Sequence, residues 1–167
     1  KAKIARIESL GANVHVIPGA YADALAAAEA HQRETGAIGI HAYDAPATVA
    51  GQGTLARELD AQMTQVDTVL VAVGGGGLIG GIAAWFEGRV NVVGVEPKAC
   101  PTLESAFRAK APVDVEVGGI AADSLGARRI GALPFSIAKQ FVEGVVLVDD
   151  EAIRAAQTAL WRELRLA

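Results

Sequence analysis

The sequence predicts an α/β fold in which a mostly parallel β-sheet lies between two layers of helices. Short apolar runs alternate with segments of helical periodicity along all 167 residues. The runs at 67–73 and 90–96 are almost unbroken, which is typical of parallel strands covered on both faces. Because strands and helices alternate, neighbouring strands can be joined by right-handed helical crossovers.

The first elements are indicated by apolar spacing and by glycine stops. The spacing of Ile4, Ile7 and Leu10 predicts a helix that ends at Gly11, and an alanine-rich segment at 21–35 predicts a second helix. Two short strands are predicted from their apolar or alternating residues, at 13–17 and 37–41.

A third helix is predicted from a cap signal. Asp44 is expected to cap this helix, with Pro46 in its first turn. Its buried face is expected to contain Leu55, Leu59 and Met63.

The rest of the chain continues the alternation of strands and helices. Strands are predicted at 67–73, 90–96, 112–117 and 144–148. Helices are predicted from Leu78 onward, at 102–110, at 136–142, and after the acidic cap that begins at Asp149. One face of the last helix is expected to carry Ile153, Ala156, Leu160 and Leu164.

The composition excludes several classes of protein. The chain is 51% hydrophobic and 20% charged, which is typical of a globular protein. Its net charge of −4 and its lack of a basic run argue against a nucleic-acid partner. No apolar stretch reaches the roughly 18 residues of a membrane span. Cys100 is the single cysteine, so no disulfide can form within the chain, and a reducing, cytoplasmic compartment is expected.

Four consecutive glycines, Gly74, Gly75, Gly76 and Gly77, separate a predicted strand from a predicted helix. A strand, a glycine turn and a helix together form an anion site, because backbone N–H groups and the helix dipole point at the turn. Close packing of the helix on the sheet would need only one or two glycines. Four in succession therefore favour a bound phosphate.

The same loop also matches a dinucleotide fingerprint. Gly75, Gly77 and Gly80 spell G-x-G-x-x-G. Glu96 ends the next strand about 20 residues further on, where this fingerprint has the acidic residue that binds the ribose. Such matches arise readily in glycine-rich loops, so an NAD-binding domain stays as an alternative. The G-K-[ST] sequence of a nucleoside triphosphatase P-loop is missing, which excludes that class.

A second glycine motif lies inside the predicted third helix. Gly51 and Gly53 each cost about 1 kcal/mol relative to alanine at a helical position. Close packing against a neighbouring helix would account for this spacing. A dinucleotide-binding domain gives no reason for the motif to precede the glycine loop.

Longer motifs carry a family resemblance. Residues 41–59 read H-x-x-D-x-P-x-x-x-A-G-Q-G-T-x-x-x-E-L, residues 73–81 read V-G-G-G-G-L-x-x-G, and residues 94–97 read G-V-E-P. Together with the segments at 3–14, 121–131 and 145–156, they resemble the pyridoxal-phosphate-dependent serine/threonine dehydratase and serine racemase family. This family has fold type II and is related to the tryptophan synthase β subunit. The tetraglycine is more similar to the dehydratases than to the cysteine synthases, whose loop carries threonines.

The resemblance implies a cofactor, pyridoxal 5'-phosphate, whose phosphate is wrapped by main-chain N–H groups. By position, the cofactor-binding residues are Gly74, Gly75, Gly76, Gly77 and Leu78. The family's Schiff-base lysine lies in an upstream S-x-K-x-R-G-A segment that does not occur in this sequence. No catalytic residue is therefore assigned. The chain is expected to be an incomplete, inactive part of the enzyme, with 1–44 from the small domain and 45–167 from the large cofactor-binding domain.

The resemblance further implies an ammonia-lyase that acts on L-threonine or L-serine and is a homo-oligomer when intact. A racemase of the same fold and a non-catalytic phosphate-binding remnant are also compatible with these motifs. Some members bind a divalent cation through the glutamate of G-V-E-P and a nearby aspartate. Thr102 replaces that aspartate here, so no metal site is expected, and Glu96 is expected to cap a neighbouring element. Ser124 replaces a glycine that lies near the cofactor in the family.

Overall fold

The computed structural model describes residues 2–19, 21–63 and 65–166, without the side chains of residues 21 and 22. The chain divides into two compact units, Lys1–Ile40 and His41–Ala167. No helix in the described part of the chain is both long and apolar enough to cross a bilayer.

The first unit contains two helices, α1 (Ala2–Ser9) and α2 (Tyr21–Thr35). Both are confirmed, and both are followed by glycines in the left-handed region, Gly11 at φ +83° and Gly36 at φ +73°. The predicted strands at 13–17 and 37–41 are wrong, because neither segment pairs with any described strand. Apolar residues alone do not make a strand, since its backbone groups need a neighbouring strand as hydrogen-bond partner.

The second unit alternates helices with three parallel strands. In chain order the elements are α3 (Pro46–Gln62), β1 (Thr68–Ala72), α4 (Gly77–Phe86), β2 (Asn91–Pro97), α5 (Thr102–Ala109), α6 (Ala122–Leu125), α7 (Ala132–Phe141), β3 (Val142–Val148) and α8 (Asp150–Leu164). The strand order is β1-β2-β3, and both pairings are parallel. The α/β class with a parallel sheet is confirmed, as are the strands expected at 67–73, 90–96 and 144–148.

The segment at 112–117 was expected to be a strand, and this is wrong. It joins no described sheet, although the Val115 N–H donates to the Arg128 carbonyl at 2.8 Å. The short helix α6, which follows this segment, was not expected from the sequence. Its four residues are too few to show helical periodicity.

One face of the sheet carries the core. Val71, Val73 and Val92 are buried there, together with Ile79 and Phe86 of α4. The opposite face is more open, since Leu70 is 68% exposed and Val146 is 51% exposed, although Val93 and Val95 of the central strand are half-buried. The last helix begins as expected, with the Asp149 carboxylate accepting the Ala152 N–H at 2.9 Å. Its predicted apolar face is exposed, since Leu160 and Leu164 both lie open to solvent.

The buried face of α3 differs from the expected one. Val49, Gly53 and Ala56 are buried, whereas Leu55 is 47% exposed and Met63 is 50% exposed. The small residues occupy the buried face because they allow α3 and α4 to approach closely. A Cβ on Gly53 would lie 3.0 Å from the Gly81 carbonyl oxygen, and a Cβ on Gly81 would overlap backbone atoms of α3. Helix packing therefore explains Gly53, while nothing lies within 4 Å of a Cβ on Gly51.

This contact predicts opposite effects for two glycine substitutions in helices. Gly81→Ala should lower the free energy of unfolding by about 1–3 kcal/mol, because its methyl group meets α3 backbone that cannot move aside cheaply. Gly51→Ala, at an open helical position, should raise it by about 1 kcal/mol. Urea unfolding followed by circular dichroism measures both, and equal effects would contradict the close helix contact.

Candidate anion-binding site

The four glycines lie at the carboxyl edge of the sheet, between β1 and α4. Gly76 is the N-cap of α4, in a left-handed conformation at φ +92°, and Gly77 is the first helical residue. Carboxyl ends of parallel strands are the usual place for ligands in α/β folds. The predicted helix start near Leu78 is confirmed.

Within the part of the chain that the structure describes, the backbone N–H groups of this loop lack protein acceptors. The Val73 N–H donates to the Val95 carbonyl at 3.0 Å, and the Gly80 N–H donates to the Gly76 carbonyl at 2.8 Å. Between these two bonds, no acceptor in the described part of the chain receives the N–H groups of residues 74–79. Gly76, Gly77 and Ile79 are nevertheless buried. A row of free donors at the positive end of a helix is an anion site.

All four loop glycines are also packed against other parts of the protein. A Cβ on Gly74 would lie 3.3 Å from the Leu125 Cα, one on Gly76 would lie 2.8 Å from the Ile130 side chain, and one on Gly77 would lie 3.0 Å from the Tyr43 Cα. A Cβ on Gly75 would overlap the Tyr43 ring. The expectation that packing needs only one or two glycines is therefore wrong. The free N–H groups indicate an anion, whereas the number of glycines does not.

Asp44 does not cap α3, whose N-cap is Ala45 without a side-chain bond. Its carboxylate instead accepts the N–H groups of Ala132 at 2.9 Å and Leu133 at 3.0 Å, at the start of α7. Asp44 is therefore a helix cap, as predicted, but it caps α7 instead of α3, because its partners lie far away in the sequence. His41 orients this turn, since its Nδ1 accepts the Asp44 N–H at 2.8 Å.

Glu96 is fully buried and caps α5, which confirms the expected capping role. Its Oε1 accepts the Leu103 N–H at 2.7 Å and its Oε2 accepts the Glu104 N–H at 3.0 Å. Burial raises the pKa of the Glu96 carboxyl above its ordinary value of 4.5, and the backbone N–H groups at the start of α5 oppose that rise. A carboxylate engaged in this way does not reach a ribose, which removes the support for a dinucleotide site.

The two residues that match the family's cation ligands are also engaged in hydrogen bonds within the protein. Thr102 offers a hydroxyl where a carboxylate would be needed, and that hydroxyl donates to the Ala127 carbonyl at 2.8 Å. Both oxygens of Glu96 already accept N–H groups. The residues present therefore do not fit a divalent cation. In the described residues, no cluster of three potential metal ligands occurs.

The segment around Ser124 lies beside the glycine loop. Leu125, the next residue, packs its backbone against Gly74. Ser124 is exposed, and its hydroxyl donates to the Asp123 carboxylate at 3.1 Å. Cys100 is buried and its thiol donates to the Gly118 carbonyl at 3.1 Å, so it is a structural residue.

The lysines of the second unit are found at other places in the fold. Lys98 pairs with Asp149 at 3.3 Å, Lys139 lies over the Phe135 ring, and Lys110 is the C-cap of α5. None of these three has a described contact with the glycine loop. Lys3 belongs to the first unit, and Lys1 lies outside the described residues.

Comparison with known proteins gives a family match over residues 1–167, to a model described as pyridoxal-phosphate-dependent enzyme. The chain belongs to the pyridoxal-phosphate-dependent enzyme family. The resemblance noted in the sequence is thus confirmed. The free N–H groups of the loop fit the phosphate of such a cofactor. None of the three lysines described in the second unit has a described contact with the loop.

Three of the proteins that the chain resembles are named as a threonine ammonia-lyase, a threonine deaminase and a serine racemase. The chain is 35% identical over 167 residues to the L-threonine ammonia-lyase of Geobacter sulfurreducens, covering 98% of the chain and 42% of that relative. Threonine deaminase isoform 2 of Solanum lycopersicum superposes with a TM-score of 0.90 at 27% identity, covering 99% of the chain and 49% of that structure. Maize serine racemase superposes with a TM-score of 0.93 at 28% identity, covering 100% and 53%. These structures confirm fold type II.

The chain spans only part of these proteins. It covers 25% of the length of the L-threonine dehydratase of Pasteurella multocida and 42% of the length of the Geobacter sulfurreducens protein.

The buried Glu96 predicts a pH dependence of stability. Between 4.5 and its raised folded pKa, the folded state binds more protons than the unfolded state, so stability falls as pH rises through that window. Glu96→Gln cannot titrate, and it loses one acceptor for an α5 N–H group, at a cost of about 1–3 kcal/mol. The stability advantage of the wild type over Glu96→Gln should therefore shrink as pH rises above 4.5.

Urea unfolding of both proteins from acid to neutral pH measures this difference. Glu116→Gln, which removes an exposed carboxylate, is the control for the loss of one charge. A difference between wild type and Glu96→Gln that stays constant with pH would contradict the raised pKa.

Proposed function

We propose that these 167 residues are the central part of a pyridoxal-phosphate-dependent threonine or serine dehydratase, referred to below as the parent protein. The dehydratase is an ammonia-lyase that converts a β-hydroxy amino acid to a 2-oxo acid and ammonia. The observation that carries the proposal is the row of free N–H groups at residues 74–79. The likeness to a protein named L-threonine ammonia-lyase supports the reaction class.

The proposed domain assignment follows from the same resemblance. Residues 1–44 are assigned to the later part of the small domain and residues 45–167 to the core of the large domain. The division of the chain between Ile40 and His41 lies close to this boundary and supports it.

In the proposed mechanism the chain's own residues bind and orient the phosphate. The N–H groups of Gly74, Gly75, Gly76, Gly77 and Leu78 would hold the phosphate, and the α4 dipole would favour its negative charge. The Tyr43 ring packs against Gly75 and keeps the loop in place. When bound, the cofactor supplies an electron sink for a carbanion at the amino-acid α-carbon. Proton transfer at that carbon is assigned to no residue of this chain.

The substrate and oligomeric state of the parent protein are inferred from the family resemblance, and its compartment from the single cysteine of this chain. Its substrate is a small hydroxy amino acid, L-threonine or L-serine, and it forms a homo-oligomer in the cytoplasm. The single buried thiol, Cys100, supports a reducing compartment. The net charge of −4 supports the lack of a nucleic-acid partner.

An amino-acid racemase is the second candidate. The close superposition of maize serine racemase favours it. Incubating the parent protein with L-serine separates the two reactions, because a dehydratase releases a 2-oxo acid and a racemase releases D-serine.

The phosphate assignment predicts the effect of deleting one N–H donor. Proline lacks the N–H group and is tolerated in the first turn of a helix, where that group has no helical partner. Leu78→Pro in the parent protein should weaken pyridoxal phosphate binding at least about tenfold, since a hydrogen bond to a charged group contributes about 1.5–3 kcal/mol.

Leu78→Ala is the matched control, because it removes the same side chain and keeps the N–H group. Spectroscopic titration of the cofactor-free proteins gives both dissociation constants. Equal affinity of the two variants for pyridoxal phosphate would contradict phosphate binding by this loop. Both variants should bind pyridoxal, which has no phosphate, with equal affinity.

The missing lysine predicts that the 167-residue chain has no dehydratase activity. A phosphate site only positions the cofactor, whereas the reaction also needs a lysine that binds the cofactor covalently and accepts a proton. Treating the chain with pyridoxal phosphate and borohydride should label no lysine stoichiometrically, and threonine should yield no 2-oxo acid. The parent protein, treated in parallel, should show both. Stoichiometric labelling of Lys98 with turnover would refute this assignment.

A further inference from the structure

We propose that Asp44 is a positioning residue, which fixes the donor orientation of the glycine loop through the first turn of α7. The inference rests on the proposed function for the identity of the anion. Its basis is a continuous set of hydrogen bonds from the Asp44 carboxylate to the Gly75 carbonyl.

The contacts use three successive N–H groups at the start of α7. The Gly131 N–H donates to the Gly75 carbonyl at 3.0 Å. The next two, of Ala132 and Leu133, donate to the two oxygens of Asp44 at 2.9 and 3.0 Å. Asp44 therefore holds in place the turn that holds the loop.

The bond to Gly75 sets the direction of a donor. The Gly75 carbonyl and the Gly76 N–H belong to one planar trans peptide group, so they point in opposite directions. With the Gly75 oxygen held at α7, the Gly76 N–H must point away from α7. The left-handed conformation of Gly76 then leads into the free donors of α4.

The surrounding residues allow Asp44 little freedom. A Cβ on Gly131 would lie 2.8 Å from the Asp44 Cβ and Cγ, so only glycine leaves room for this carboxylate. The His41 Nδ1 accepts the N–H groups of Tyr43 and Asp44 at 3.2 and 2.8 Å. The Thr48 hydroxyl donates to the His41 carbonyl at 2.9 Å.

Asp44 also determines which helix end is open to an anion. The starts of α4 and α7 meet, since a Cβ on Gly76 would lie 2.9 Å from the Pro134 side chain. The Asp44 carboxylate accepts the first N–H groups of α7, and its negative charge neutralises the positive end of the α7 dipole. The donors of α4 are then left for the ligand, and the second helix end does not compete.

The experiment compares a phosphorylated ligand with its dephosphorylated form. Dissociation constants of pyridoxal phosphate and of pyridoxal are measured by spectroscopic titration of the cofactor-free parent protein. The variants are Asp44→Ala, Asp44→Asn, which keeps one acceptor oxygen, and the control Asp149→Ala. Asp149 likewise caps a helix, by accepting the Ala152 N–H at 2.9 Å, and it caps α8 instead of α7.

Asp44→Ala should reduce the preference for pyridoxal phosphate over pyridoxal about tenfold. A tenfold change corresponds to about 1.4 kcal/mol, which is within the usual range for the loss of a helix cap. Asp44→Asn should show a smaller loss, and it decides the question if Asp44→Ala does not fold. Asp149→Ala should lower the melting temperature without changing the preference. This readout separates positioning from general loss of stability.

An unchanged preference in both Asp44 variants would overturn the inference, as would an equal loss in Asp149→Ala. If Leu78→Pro weakens phosphate binding while the Asp44 variants do not, the proposed function stands and the role of Asp44 fails. If Leu78→Pro has no effect, the proposed function fails, and the role of Asp44 falls with it.

Discussion

The start of every helix leaves backbone N–H groups that must find an acceptor, and this requirement organises the second unit. Three helices meet it with carboxylates: α5 on Glu96, α7 on Asp44 and α8 on Asp149. The first residue of α3 is an exposed proline. In the described structure, α4 differs from these because it begins in a buried place without any acceptor. Among the described helices of this unit, the start of α4 is therefore the one that we propose to hold a ligand.

The sequence predicted what is determined locally. Glycine stops located the ends of α1 and α2, and an apolar run ending in Glu96 predicted both the strand β2 and a carboxylate that caps a neighbouring element, which is α5. The glycine loop was placed correctly between β1 and α4. Each of these features depends on residues a few positions apart, so short-range chemistry is enough to infer it.

The failures share a non-local cause. The residues at 13–17, 37–41 and 112–117 have strand-like patterns, yet a strand exists only beside a second strand, which a local pattern does not reveal. Asp44 has the residue type of a cap, but its partners are 88 and 89 positions away. The face that α3 buries was set by how closely α4 can approach, which favoured glycine and alanine over leucine.

The caps formed by Glu96 and Asp44 differ in the length of chain that must close before each can form. Glu96 reaches the start of α5 across 7 positions, whereas Asp44 reaches α7 across 88. Closing a longer loop costs more chain entropy, so the Glu96 turn can form early while the Asp44 contact waits until much of the unit is assembled. The orientation of the glycine loop, which depends on the later contact, is then among the last features to mature. Partly folded chains would then carry a finished strand and helix around a glycine loop whose N–H groups are not yet oriented for the proposed anion.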